Sequence, residues 1–367
     1  MKKTLLTLLA LAPMAVFAED TKYWVPPTEG NLCYWVNGFD LKDPSTWVYD
    51  ADKYNNKEDG DPAAGDRAAD AHYCWAASAA NIIAQWESKN ADFVRSTQKR
   101  DPKTAQGLYD EFVATFKNIS GETVNATAWY FTGETYGLQF KAGATNTAGG
   151  YYKDLVKFET EYGNPMSLEN SGWTLTPDGD FPTWDPDVYN TPGNDLFKQF
   201  TNNLTQCLVN GYSVGIAADG VYDNNGKQGY YSHALTLWGI EVNPEGHLTR
   251  MWLTDSDDAT SFGKDMGLFS VSCEEIPEIL TWGNSASAAS GEFAPVLGNL
   301  DYFSMKNDVD FDGKLWYKGY DGDYGDYLSS YSAIKITPLV NYNTPEPATG
   351  TLSLLALAGL AARRRRK

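Results

Sequence analysis

Residues 229–255 read GYYSHALTLWGIEVNPEGHLTRMWLTD, with two apolar runs on either side of a turn. The turn, residues 243–246 (NPEG), is a combination typical of tight chain reversals. Both flanking runs are rich in β-branched and aromatic residues, which favours strands. We therefore expect an antiparallel hairpin centred near Pro244 and Glu245.

Helical patterns come before this hairpin and strand patterns surround it. Alanines and an apolar stripe at helical spacing predict a helix over Cys74–Lys89. Further helices are predicted over Thr104–Lys117, Tyr151–Tyr162 and Asp195–Asn210. Further strands are predicted over Tyr212–Ala218, Gly267–Ser272 and Ser332–Leu339. Helices first and strands second predict an α+β protein with an antiparallel sheet.

The N-terminus has the layout of a secretory signal peptide. Two lysines precede an apolar run over Thr4–Phe17, and small residues lead to a plausible cleavage site after Ala18. The run is too short to span a bilayer. We therefore expect residues 1–18 to be an export signal and the mature chain to begin at Glu19.

The C-terminus has the layout of a second targeting segment. Residues 344–347 (TPEP) precede an apolar stretch over Ala348–Ala362, and residues 363–367 (RRRRK) close the chain. This order closely resembles the PEP-CTERM sorting signal of Gram-negative bacteria. The resemblance implies processing by an exosortase-type sorting enzyme, with membrane contact only through this segment.

The negative charge of the chain argues against two classes of partner. The net charge is −19. Residues 1–18 and 348–367 hold seven basic residues and no acidic ones, so the net charge of the remainder is −26. Such a surface repels nucleic acid and anionic membranes, so we expect neither as a partner.

Histidine limits the catalytic possibilities because the chain has only His72, His233 and His247. A hairpin centred on the turn sets Ala234 opposite Asp255, so His233 begins one strand where Asp255 ends the next. Side chains in that arrangement are within hydrogen-bonding reach. The carboxylate would fix the imidazole tautomer and leave one nitrogen as a base. An unrelated surface histidine is the alternative.

Cys74 is the candidate nucleophile. A thiol at the start of a helix faces unpaired N–H groups and the positive end of the helix dipole, which lower its pKa. The chain also contains Cys33, Cys207 and Cys273. In an exported protein, four cysteines equally suggest two disulfides, so the sequence leaves both readings of Cys74 open.

Four segments carry a resemblance to a known family: residues 47–53 (WVYDADK), 73–81 (YCWAASAAN), 232–239 (SHALTLWG) and 252–257 (WLTDSD). They resemble the papain-like cysteine proteases, and most closely the bacterial immunoglobulin-degrading IdeS/Mac family. The resemblance implies a papain-like α+β fold in which the nucleophile helix packs against an antiparallel β-sheet. It also implies that residues 19–343 form one protease domain with an N-terminal extension.

Roles for individual residues follow from the same resemblance. Cys74 is expected to be the nucleophile, His233 the base and Asp255 the acid that orients it. Lys53 is expected to stabilise the oxyanion, and Asp257 to help orient His233. The implied activity is a cofactor-free endopeptidase acting on an extracellular protein. Immunoglobulin is not implied as the substrate, because specificity lies in the loops and these are the least similar part of the chain. The segment Trp173–Pro192, for example, looks like an insertion.

Three other possibilities remain open from the sequence. The same site could perform a different acyl transfer, such as a transglutaminase-like or amidase reaction. The chain could also be a non-enzymatic surface module that binds glycan or protein. Finally, Asp308, Asp310 and Asp312 have the spacing that begins a calcium loop, although Gly319 stands where its bidentate glutamate belongs.

Overall fold

The structure is a computed structural model and describes only part of the 367-residue chain. The described residues are 23–46, 49–53, 72–163, 173–174, 183–184, 195–224, 227–257, 267–283, 294–310, 317–319 and 326–339. Both predicted terminal signals, and most of the apparent insertion Trp173–Pro192, lie outside these residues.

Five α-helices occur in the described residues. They are α1 (Cys74–Lys89), α2 (Ala91–Gln98), α3 (Ala105–Thr115), α4 (Thr123–Thr132) and α5 (Leu196–Val209), with a short 3-10 turn at Pro44–Thr46. The helix predicted over Cys74–Lys89 is confirmed with those bounds. Side chains cap α3 and α5: Thr104 accepts the Gly107 N–H, and Asp195 accepts the Lys198 N–H. Across the described ranges, no helix is both long and apolar enough to cross a membrane.

Ten strands occur in the same ranges. They are β1 (Leu32–Trp35), β2 (Val156–Gly163), β3 (Trp173–Thr174), β4 (Thr183–Trp184), β5 (Ser213–Asn224), β6 (Lys227–Val242), β7 (Leu248–Thr254), β8 (Phe269–Gly283), β9 (Ala294–Asn307) and β10 (Asp326–Pro338). Strands β3 and β4 pair only with each other among the described strands. The predicted hairpin is present as β6 and β7.

Six of the strands form a closed antiparallel barrel. Their order is β6-β5-β10-β9-β8-β7, and β7 pairs with β6 to close the ring. The predicted papain-like α+β fold, with a nucleophile helix packed against a sheet, is therefore wrong. Closure depends on the pairing of β10 with β9, which joins Tyr327 to Ser304 and Leu328 to Phe303. Such long-range pairing leaves no local signal in the sequence.

One segment predicted to be a helix forms a strand instead. The helix expected over Tyr151–Tyr162 is instead a turn followed by strand β2, which pairs with β10 from Tyr331↔Gly163 to Pro338↔Val156. Apolar residues there recur at a spacing that both a helix and a strand allow, and the partner β10 decides between them.

Among the residues that the structure describes, two hydrophobic cores stabilise the fold. One core combines strands of the barrel with Phe200 and Leu204 of α5. The other gathers α1, α3 and α4 with Ile334 and Ile336 of β10. The second core is strongly aromatic: Trp129 contacts Phe116 edge-on, with ring centroids 4.9 Å apart. Helix α1 therefore lies between the helical core and the barrel.

The N-terminal segment is part of the fold. Strand β1 adds to β6 beyond the end of β5, with Trp35 opposite Gly239. A side chain at position 239 would collide with the Trp35 ring, because an added Cβ would lie 2.0 Å from it. Further upstream, Val25 accepts a hydrogen bond from Trp252 Nε1 at 3.2 Å.

Candidate functional site

Cys74 is the first residue of α1 and is partly exposed. Tyr73, which precedes it, is fully buried, and its hydroxyl donates to Phe116 O at 2.5 Å. The Tyr73 carbonyl accepts the N–H groups of Ala76 and Ala77. The N–H of Cys74 itself precedes the first intrahelical bond. The thiol therefore lies where N–H groups and the helix dipole favour a negative charge.

Polar side chains on one face of α1 join it to β6. Ser78 Oγ donates to Leu235 O at 3.0 Å, and Asn81 Nδ2 donates to Thr236 Oγ1 at 3.1 Å. Ser78 and Asn81 follow Cys74 by four and seven residues, so the three side chains share that face. These bonds bring the start of α1 beside the part of β6 that carries His233.

His233 and Asp255 are in contact. His233 Nε2 lies 2.5 Å from Asp255 Oδ1, and both side chains are buried. The observed register differs by one residue from the expected one: Thr236 lies opposite Thr254, and Asp255 follows the last paired residue. The slip does not separate the two side chains.

Both carboxylate oxygens of Asp255 accept hydrogen bonds. Oδ1 also accepts the Asp257 N–H at 2.9 Å, and Oδ2 accepts the hydroxyl of Tyr317 at 3.1 Å. Burial alone would raise the pKa of Asp255. The charge and hydrogen bond of His233, the Asp257 N–H and the charge of Lys53 outweigh burial, so its pKa is lowered. Asp255 is therefore held in its ionised form.

Cys74 and His233 shift each other's protonation. Burial would raise the pKa of the Cys74 thiol, but the hydrogen bond and charge of His233, the charge of Lys53 and the N–H of Ala234 together lower it. Burial would lower the pKa of His233, but Asp255, the hydrogen bond with Cys74 and the charge of Asp257 raise it well above its usual value. These directions favour a thiolate beside an imidazolium.

Lys53 and Asp257 flank this pair. Lys53 Nζ lies 2.6 Å from Asp257 Oδ1, and Asp257 Oδ2 lies 3.7 Å from His233 Nδ1. The Lys53 N–H donates to Ser256 O at 2.9 Å, which fixes the lysine backbone beside the loop that follows β7. Burial would lower the pKa of Lys53, but the charges of Asp257 and Cys74 raise it. The ammonium is therefore retained at a buried position.

The other cysteines differ from Cys74 in their electrostatics. All four cysteines lie in the described residues, and none forms a disulfide there. Burial raises the pKa of Cys33 to about 11, and it also raises the pKa of Cys207 and Cys273. Cys207, on α5, is buried in the core. Cys74 is thus the one cysteine whose pKa is lowered.

Two groups of carboxylates are candidate metal sites. His233, Asp255 and Asp257 offer ligand atoms within 4.8 Å of one another. The ammonium of Lys53 already neutralises Asp257 there, which opposes a second cation. In the calcium candidate, Asp308 Oδ2 accepts from Arg250 Nε at 2.8 Å and from Ser270 Oγ at 2.6 Å.

The remaining members of the calcium candidate are Asp310, which is exposed, and Asp312, which lies outside the described residues.

The two other histidines are not at the Cys74 site. His247 Nδ1 lies 2.6 Å from Glu275 Oε1 beside the hairpin turn. The N–H of His72 donates to Asn118 Oδ1 at 2.9 Å, and the residue is exposed.

Two residues that support the site were not predicted from the sequence. Tyr317 follows the aspartate-rich segment that begins at Asp308, and its hydroxyl reaches Asp255. Gln106 of α3 bonds both the N–H and the carbonyl of Asp52, at 3.0 and 3.1 Å, and so supports Lys53. No local motif marks either residue, because each acts across a long separation in sequence.

Comparison with known proteins bears on the C-terminus. Residues 343–367 match the family model described as the PEP-CTERM protein-sorting motif. The chain ends in a PEP-CTERM motif. No curated protein matches the chain.

The PEP-CTERM motif is a sorting signal. It supports export and sorting to the cell surface, with recognition by an exosortase-type sorting enzyme. This agrees with the resemblance carried by residues 344–367. The PEP-CTERM match covers only the last 25 residues, so the chemistry of the Cys74 site must be argued from its own geometry.

Proposed function

We propose that this exported protein is a cysteine-type endopeptidase with Cys74 as its nucleophile. The observation that carries the proposal is the continuous contact from Cys74 through His233 to Asp255. A thiol at a helix start, an imidazole hydrogen-bonded to it and a buried carboxylate behind the imidazole are the parts that acyl transfer through a thioester requires.

In the proposed reaction, the Cys74 thiolate attacks a peptide carbonyl carbon. The negative charge that forms on the carbonyl oxygen is stabilised by N–H groups at the start of α1 and by the Lys53 ammonium. Because Asp255 holds His233 Nε2, the other nitrogen, Nδ1, is left to protonate the departing amine. The product at this stage is a thioester on Cys74 and a free amine.

Water completes the proposed cycle. His233 Nδ1 removes a proton from the water that attacks the thioester, and the thiolate leaves as the carboxylic acid is released. Asp255 stays ionised and keeps the imidazole oriented through both steps. No cofactor enters this sequence.

Two further features support an extracellular protein as the substrate. The PEP-CTERM motif directs the chain to the cell surface. The four motifs around Lys53, Cys74, His233 and Asp255 resemble the immunoglobulin-degrading cysteine proteases, which hydrolyse peptide bonds. That resemblance rests on the motifs alone, because the chain has a closed barrel rather than the papain-like fold expected from it.

The test is to incubate the mature chain, from Glu19, with a mixture of unfolded proteins and to map new termini by mass spectrometry. The proposal expects new paired amine and carboxyl termini that are absent with Cys74→Ala. An added primary amine distinguishes the alternative acyl transfer: amides formed at glutamine side chains, without chain cleavage, would contradict the peptidase assignment. Absence of any Cys74-dependent product would favour the non-enzymatic surface module.

A further inference from the structure

We propose that Tyr317 is a positioning residue of this site, acting on His233 through Asp255. The inference deepens the proposed function and rests on it for its catalytic meaning. Tyr317 belongs to neither of the segments, 232–239 and 252–257, that supply His233 and Asp255. Its contribution is a hydroxyl donor aimed at the buried carboxylate.

The contact is well defined. Tyr317 Oη donates to Asp255 Oδ2 at 3.1 Å, and both residues are at most 1% exposed. The other oxygen of Asp255 is occupied by His233 and by the Asp257 N–H. The tyrosine hydroxyl therefore complements the donors on Oδ1 and restrains rotation of the carboxylate about its Cβ–Cγ bond.

The tyrosine is itself fixed by the barrel. Its N–H donates to Asn307 Oδ1 at 2.6 Å, and the Asn307 N–H donates back to Tyr317 O at 2.9 Å. Its ring stacks on Phe269 of β8, with centroids 5.9 Å apart and an interplanar angle of 4°. Because Asn307 ends β9, the end of one strand and a ring from the neighbouring strand hold the hydroxyl in place.

Such a hydroxyl has a definite effect on the site. A hydrogen bond to the charged form of a buried carboxylate favours ionisation. An ionised, fixed Asp255 raises the pKa of His233, and the resulting imidazolium lowers the pKa of Cys74. Removing the hydroxyl leaves Asp255 ionised but free to rotate away from His233 Nε2, which weakens the contact that raises the pKa of His233. The pKa of His233 should therefore fall, and that of Cys74 should rise.

The experiment compares Tyr317→Phe with Tyr152→Phe in the mature chain. Tyr152 is a matched control because it is also buried and its hydroxyl also donates to a buried carboxylate, Glu87 Oε1 at 2.7 Å. Either change keeps the ring and removes one hydrogen bond. Thermal unfolding establishes that both variants fold and how far each is destabilised.

Two measurements report directly on the site. The first is the pH dependence of Cys74 alkylation by iodoacetamide, mapped by mass spectrometry. The second is NMR titration of the imidazole of His233, assigned among only three histidines with His233→Ala. With Tyr317→Phe, we expect the acid limb of alkylation to move up and the His233 pKa to move down, each by about 0.5–1 pH unit. With Tyr152→Phe, both should match the unmodified chain.

An unchanged His233 titration in Tyr317→Phe would overturn the proposal and leave Tyr317 a purely structural residue. The titration does not depend on peptidase activity, so it separates this inference from the proposed function. If the His233 pKa shifts but the unmodified chain cleaves no protein, the positioning role stands and the peptidase assignment fails.

Discussion

Lys53 Nζ lies 2.6 Å from Asp257 Oδ1, although Lys53 precedes α1 and Asp257 follows β7. Lys53 is buried, at only 4% exposed, whereas Asp257 is partly exposed. A buried ammonium is costly unless it is paired, and here the pair lies beside His233 Nδ1 and the Cys74 thiol. The pair keeps a cation beside the Cys74 thiol, which is where the proposed mechanism requires an oxyanion donor.

Replacement of Lys53 by Met should therefore impair catalysis more than folding. The change removes a positive charge that lowers the pKa of Cys74 and that would face the oxyanion. We expect the rate of peptide cleavage to fall by about 100-fold, the typical loss for one oxyanion donor. The acid limb of Cys74 alkylation should also move to higher pH.

Lys42→Met is the control for this change, because Lys42 is exposed and lies outside the site. It should leave both measurements unaltered. Equal activity of Lys53→Met and the unmodified chain would show that Lys53 serves only to neutralise Asp257.

Glu87 should be a major source of stability. This fully buried carboxylate of α1 accepts from Arg100 Nη1 and Nη2 at 2.8 and 2.6 Å and from the hydroxyls of Tyr130 and Tyr152. Glu87→Gln leaves the Arg100 charge without its partner and should cost about 3 kcal/mol of unfolding free energy. Denaturant titration at pH 7 measures the loss, with the exposed Glu29→Gln as the control.

The same pair predicts a pH dependence. Burial would raise the pKa of Glu87, but Arg100, Tyr130, the Lys103 N–H and Tyr152 lower it. Because the folded pKa is depressed, this stabilisation is complete above the unfolded value of about 4.3 and is lost as pH falls through the folded pKa. The difference in stability between the unmodified chain and Glu87→Gln should narrow on acidification below about pH 4.3. A constant difference down to pH 2 would contradict this account.

The N-terminal segment is predicted to stabilise the fold rather than to inhibit the site. Glu241 accepts from the Thr28 N–H at 2.6 Å and pairs with Arg250 at 2.9 Å, and the Ser270 N–H donates to Tyr23 O at 3.1 Å. Deleting residues 19–31 should therefore lower the melting temperature by several degrees. It should produce no gain in Cys74 reactivity. Faster alkylation after deletion would instead identify the segment as an inhibitory prosegment.

Local signals explain which elements were predictable. The alanine-rich run predicts α1 with its observed bounds, and the turn predicts the hairpin of β6 and β7. The predicted register was one residue out because the turn includes His247, whose carbonyl accepts the Asn243 N–H. Gly246, with φ of +93°, completes that turn. His233 and Asp255 still meet because their side chains are long enough to absorb a shift of one residue.

Closure of the barrel was not predictable in the same way. Strand β9 was missed entirely, and it supplies both the pairing with β10 and Asn307, which holds Tyr317. Those contacts join residues that are distant in sequence and carry no turn or periodic signal between them. Cys74, His233 and Asp255 could be predicted because their side-chain types are reactive. The residues that support them, such as Tyr317 and Asn307, could not.

The central claim is that His233 activates Cys74, and alkylation kinetics test it most directly. The mature chain is treated with iodoacetamide between pH 5 and 7, beside His233→Ala, and each cysteine is quantified by peptide mapping. We predict that Cys74 reacts at least about 10-fold faster than Cys33, Cys207 or Cys273, and that His233→Ala abolishes the advantage. Equal rates at all four cysteines, or an advantage that persists without His233, would contradict the account.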